Sequence, residues 1–177
     1  MKSSNIKKFV FSALVSVCIL TCTHAVMAQA SATASVSATV IAPVTLVKNV
    51  DMNFGNAAVS ASTGGMVILN PASTRTASGA GITLPATTGT VTAASFTVSG
   101  APSYTYAITL PGSATISGPS SSSMTVNSFV STPSGTGTLS SGGTQTLTVG
   151  ASLSVSAGQH SGTYTNASAV PITVNYN

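Results

Sequence analysis

Hydrophobicity in this chain changes at every second residue, in one stretch after another, and a period of two dictates β-structure. In 147–155, LTVGASLSV, the side chains of Leu147, Val149, Ala151, Leu153 and Val155 share one face. Ala94, Phe96 and Val98 do the same in 94–98. So do Tyr104, Tyr106, Ile108 and Leu110 in 104–110, and Val170, Ile172, Val174 and Tyr176 in 169–176. Shorter apolar pieces stand at 52–54, 66–69, 82–84 and 124–129. Between them lie the clusters STGG (62–65), NPAS (70–73), SGAG (78–81), SGAP (99–102), GPSSSS (118–123), TPSGTG (132–137) and SSGG (140–143). Gly permits positive φ and Pro ends hydrogen-bonded ladders, so these clusters read as turns. No window combines a 3.6-residue period with helix caps. About eight strands at this spacing predict one all-β domain, an Ig-like antiparallel β-sandwich, with a barrel as the alternative. No repeat at a fixed period points to a solenoid or propeller.

The cleanest alternation is the earliest, SATASVSATVIAPVTL at 31–46. Ala32, Ala34, Val36, Ala38, Val40, Ala42, Val44 and Leu46 fall on one face, and the other face is mostly Ser and Thr. The pattern predicts a strand with one dry side. That side serves either the domain's own core or a neighbouring molecule's.

Residues 1–30 read as a secretory signal peptide. Lys2, Lys7 and Lys8 precede the apolar run FVFSALVSVCIL, and small residues follow in AVMAQA. Cleavage after Ala28 or Ala30 fits the small-x-small rule. A lipoprotein would use Cys22, but Thr21 is a poor residue in front of it. Removal of this segment takes three of the five basic residues and both cysteines, Cys18 and Cys22. It leaves about 147 residues, enough for a sizeable core. Lys48, Asp51 and Arg75 are then the only charged side chains. That balance gives no basic patch for nucleic acid and no further segment for membrane insertion. The expected location is outside the cytoplasm: periplasm in transit, then cell surface or fimbrium, or extracellular.

Catalysis is disfavoured by counting. Beyond residue 30 the chain has one His (His160), one Asp (Asp51), no Glu and no Cys. Paired carboxylates for acid–base work are impossible. A metal site with three or four ligands lacks donors. A Ser-His-Asp triad would need both singletons beside one serine. No glycine cluster leads into a Lys-bearing helix, so no phosphate loop is present. We therefore expect no enzyme, no metal and no cofactor. Arg75 reads as a solvated loop cation that could also meet an anion or sugar. Tyr104, Tyr106 and Tyr164 could stack on a sugar, although Tyr104 and Tyr106 share a face with Ile108 and Leu110 and so read as core.

The strands carry almost none of the charges that normally guard sheet edges. Pro43, Pro171 and Lys48 are the exceptions. Edges left this way suit strand addition, in which an extended segment supplies main-chain hydrogen bonds and alternate side chains. The chain end PITVNYN, with Tyr176 penultimate and Gly162 upstream, resembles the close of chaperone–usher pilus subunits, the fimbrial proteins of Gram-negative bacteria. That resemblance implies a groove left by a missing strand, filled first by a periplasmic chaperone and later by the next subunit's N-terminal extension. An outer-membrane usher would be a further partner. It implies that Val170, Ile172, Val174 and Tyr176 line the C-terminal groove strand and that Val36, Ala38 and Val40 are the donor face. DMNFG (51–55), ASFTVSG (94–100), YAITLP (106–111), LTVGASLSV (147–155) and SGTYT…ITVNYN together resemble a secreted bacterial domain-of-unknown-function family over roughly 48–177. The sequence departs from pilus subunits in three respects. Gly162 lies farther from the end, the common cysteine pair is absent, and the donor face is rich in Ala. Each buried methylene contributes about 0.8 kcal/mol, so an Ala/Val face grips less than one with large anchors.

The expected organisation is therefore a signal peptide at 1–30, a candidate donor strand at 31–46 and a sandwich domain at 47–177. The expected function is a structural subunit that polymerises with copies of itself or related subunits by strand addition. The alternative is a self-complete adhesin or matrix module that binds glycan or host surface through loops such as 70–81 or 118–123.

Overall fold

The computed structural model describes residues 29–166 and 170–177. The backbone divides into two units, 1–39 and 40–177. Most of the expected signal peptide lies outside the described residues. Of the first unit, residues 29–39 carry no helix or strand and are exposed throughout.

The second unit is a β-sandwich. Its strands are β1 (Thr45–Val50), β2 (Ala58–Val59), β3 (Gly65–Leu69), β4 (Arg75–Ser78), β5 (Ile82–Thr83), β6 (Ala94–Ser99), β7 (Thr105–Thr109), β8 (Ser113–Ser117), β9 (Ser123–Thr132), β10 (Thr136–Thr138), β11 (Thr144–Val155) and β12 (Thr173–Tyr176). A single 3₁₀ turn, Pro119–Ser121, interrupts them, and no α-helix occurs among the described residues. Every strand pairing is antiparallel.

β11 organises the larger, seven-stranded sheet. Residues 144–149 pair with β6, and 151–155 pair with β3. Residues between 148 and 154 also pair with β9. A strand has two edges, so β6 and β3 succeed one another along one edge while β9 holds the other. β1 extends the sheet beyond β6, β4 beyond β3, and β8 beyond β9. The handover from β6 to β3 falls at Gly150. A Cβ there would lie 2.2 Å from the Leu69 carbonyl oxygen, so the backbones meet too closely for a side chain.

A three-stranded sheet, β10-β7-β12, faces this one. Between them sits a first core of Phe96, Val98, Tyr106, Leu139, Leu147, Val149 and Val174, with Val44, Leu46, Ile108, Ile172 and Tyr176 packed around it. The alternation expected at 94–98 and 147–155 is largely realised: the apolar members are buried, and Ser95, Thr97, Thr148 and Ser154 are only partly covered, but Gly150 and Ser152 in the middle of β11 are buried as well. A second core continues along the same sheet, built from Val67, Ile82, Val126, Ala151, Leu153 and Val155. The small sheet does not reach it. Its partly buried cover includes Met52, Phe54, Val59 and Leu84, and the short β2–β5 ladder contributes Val59 and Ile82.

Three sequence expectations need correction. Residues 31–44 form no ladder, and only Thr45 and Leu46 of the expected 31–46 strand belong to β1. Pro43 offers no N–H to a ladder, whereas Val44 and Leu46 have the first core to pack on. The final strand spans only Thr173–Tyr176; position 169 lies outside the described residues, and Val170 and Ile172 precede the strand. Tyr104 is not core. It lies just outside β7, is 47% exposed, and meets the Tyr176 ring edge-on at 5.7 Å, while Tyr106 is fully buried.

Two predictions follow from this packing. Gly150→Ala should cost about 1–3 kcal/mol through overpacking against Leu69, whereas Gly112→Ala, with nothing within 4 Å of its Cβ, should be near neutral; urea unfolding reads both. Burial raises the pKa of Tyr106, whose hydroxyl donates to Gln145 Oε1 at 2.7 Å. The folded state then holds this proton more tightly than the unfolded one. Its contribution is complete below the unfolded value, about 10, and is lost as pH rises through the higher folded value. Thermal unfolding across pH 9–12 should show a steeper alkaline loss in the wild type than in Tyr106→Phe.

Candidate functional site

Because the small sheet covers only the first core, a groove of about 1330 Å³ with an apolar floor lies over the second core and the adjoining Ala94 and Phe96 of the first. Its floor is made by Ala94 and Phe96 of β6, Ile116 of β8, Met124 and Val126 of β9, and Leu153 and Val155 of β11. These are inward-facing positions of the alternation. One wall is the segment from Lys48 to Val59, and the other runs through 159–166 to Val170 and Pro171.

Each wall is held by side chains bonding to backbone. The first turns at Asn53–Asn56. Asn53 Oδ1 accepts from the Gly55 N–H at 2.8 Å, and Asn53 bridges Thr92 through the main chain. Arg75 reaches over from β4, and its Nη1 donates to the carbonyls of Phe54 (2.5 Å) and Asn56 (2.7 Å). Its Nη2 is buried and makes no hydrogen bond. Arg75 is thus a clamp on the wall rather than a solvated loop cation.

The second wall is stapled by Tyr164. Its hydroxyl donates to the His160 carbonyl at 2.7 Å, lies 2.7 Å from Ser122 Oγ and receives Gln159 Nε2 at 3.0 Å. Thr165 bridges Ser117 of β8 through paired main-chain hydrogen bonds. Tyr164 therefore holds the wall to the end of the 3₁₀ turn, and Thr165 holds it to the β8 edge; the Tyr164 hydroxyl is taken up inside the fold.

Asp51 and His160 both line the groove, one on each wall. Asp51 is bound by Lys48 at 2.6 Å, in a pair whose side chains are 79% and 54% exposed, respectively. No hydrogen bond joins Asp51 to His160, and no cluster of three metal-binding side chains occurs among the described residues. What the groove offers is an apolar floor between walls of main-chain, hydroxyl and amide groups, with the Lys48–Asp51 pair and His160 at its border.

The expected groove strand is divided between the first core and the groove. Val174 is buried in the first core, with Ile172 and Tyr176 half-buried against it, and Val170 alone lines the groove. The expected donor residues lie at the opposite extreme: Val36 is 95% and Val40 96% exposed, and Ala38 is exposed as well. Sequence reasoning missed the floor as a unit, because Phe96, Val126 and Leu153 belong to strands far apart in the chain. It also missed the Arg75 clamp; no local signal links PASTRTASG to DMNFG.

Replacing Arg75 by Ala removes two charge-assisted hydrogen bonds from a half-buried group. We expect a loss on the order of 1–3 kcal/mol in unfolding free energy. We also expect hydrogen exchange to accelerate locally at Gly55 and Asn56, with little change in β11. Arg75→Lys should restore part of the stability only, because an ammonium lacks the planar fork.

No curated protein and no solved structure matches the chain. A family model does match, over residues 44–176, which takes in β1, both cores and all but the last residue of the described C-terminus. On that match the sandwich and its groove belong to DUF4402, a family of domains of unknown function.

Proposed function

We propose that this protein is an exported structural subunit of a pilus- or fimbria-like surface assembly, polymerising by β-strand addition. The observation that carries the reading is the exposure of Val36 and Val40, at 95% and 96%, in a segment with a period-two apolar face and no ladder of its own. Full burial of a Val contributes about 1.5–3 kcal/mol, so two such residues left in water are a reserve of binding energy. The apolar floor of the groove offers an acceptor of matching chemistry, because main-chain groups and small apolar side chains need no charge partner.

In this reading Val36, Ala38 and Val40 of one copy enter the groove of another copy or of a related subunit. A periplasmic chaperone would cover the acceptor in transit, and an outer-membrane usher would release the assembly to the cell surface.

Non-boiled denaturing gels of periplasmic and surface fractions test this. The full chain should give a ladder that collapses on boiling, and a chain lacking 31–42 should give monomer only. The pair Val36→Asp with Val40→Asp should also abolish the ladder while leaving the sandwich's unfolding midpoint unchanged, since neither residue is buried in the monomer. A ladder that persists in both variants overturns the reading.

A further inference from the structure

The transition from exposed segment to anchored domain is abrupt. Val40 is 96% exposed and Ile41 37% exposed; three and five residues beyond Ile41, Val44 and Leu46 pack on the first core. At the boundary stands one hydroxyl from the other end of the chain. Tyr176 Oη donates to the Ala42 carbonyl at 2.9 Å and accepts from the Ala101 N–H at 2.6 Å. Ala101 is buried, so that N–H needs this partner. Gly100 makes room for it: a Cβ there would lie 2.2 Å from the hydroxyl. The edge-on Tyr104 ring supports the Tyr176 ring.

We propose that the Tyr176 hydroxyl is a positioning group that ends the N-terminal segment's pairing-competent stretch at Ala42. A strand joins a ladder through its N–H and C=O groups. Here the Ala42 carbonyl is already engaged, and the next residue, Pro43, has no N–H to give. Two consecutive ladder positions are therefore closed, and the chain can pair as a free strand only upstream of them. That leaves 31–41, which spans roughly 36 Å when extended. Ala42 shares the parity of Val36, Ala38 and Val40, so fixing it also fixes the point from which that face is counted. The consequence for assembly rests on the strand-addition reading, but the anchoring itself is a property of the monomer.

The test compares the full-length monomer with Tyr176→Phe, which keeps the ring and removes the oxygen, and with Gly100→Ala, which keeps the tyrosine and displaces its hydroxyl. Backbone ¹⁵N order parameters at Ile41 and Ala42 are the primary readout. They should fall from near 0.85 toward 0.6 or below in both variants, with Leu147 unchanged as the measure of an intact core. Unchanged order at Ile41 and Ala42 in Tyr176→Phe overturns the proposal. The gel ladder is the second readout: its half-time of formation should lengthen at least threefold in Tyr176→Phe. If order falls but the wild type gives no ladder, the anchor stands and the strand-addition reading fails.

Discussion

A short sheet lying over a long one is the constraint from which the rest of this structure follows. β11 runs for 12 residues, about 40 Å at the rise of an extended strand. The strands facing it run for three to five residues, and they cover little more than one end. Alternation along β11 continues regardless, so its far half presents Ala151, Leu153 and Val155 to a space with no opposing sheet. Loops, a two-residue ladder and the side chains of Met52 and Phe54 cover what they can, and the remainder is the groove.

Loops used as cover must be held down. A protein with no disulfide available to its described residues and one surface ion pair does this with hydroxyls. Tyr164 ties 159–165 to the end of the 3₁₀ turn at Ser122, Tyr176 ties the N-terminal segment to the C-terminal strand, and Tyr106 ties β7 to β11 through Gln145. In each case an aromatic ring packs on apolar surface while its oxygen reaches a polar partner at the border, the division of labour to which tyrosine is suited. Arg75 does the same for the opposite wall with a guanidinium.

The class of fold was legible because alternation is local. Phe96, Val98, Leu147, Val149 and Leu153 declare their face within a few residues, and the sheets obey them. Which strands would pair was less legible, since a face is a property of one segment and a ladder is a property of two. Residues 31–44 show this most plainly. They carry the most regular alternation in the chain and have no partner strand in the monomer. Tyr104 and Tyr106 show a related limit: equal parity predicted equal burial, yet β7 begins at Thr105, and Tyr104 is left outside the strand in solvent. Of the groove only Val170 was legible from the expected C-terminal strand, because its floor is assembled from four strands and its walls from segments about a hundred residues apart.

The scarcity of charge has a consequence for durability. Acid unfolds most proteins by protonating carboxylates that are paired or buried in the folded state. This chain has a single acidic side chain, Asp51, held by Lys48 in an exposed pair. Such pairs contribute about 1 kcal/mol or less. Brine has as little to screen as acid has to protonate. The fold rests on apolar packing, neutral hydrogen bonds and an Arg75 guanidinium that keeps its proton at any such pH, and it should pass with little change between gastric acidity, sea water and fresh water.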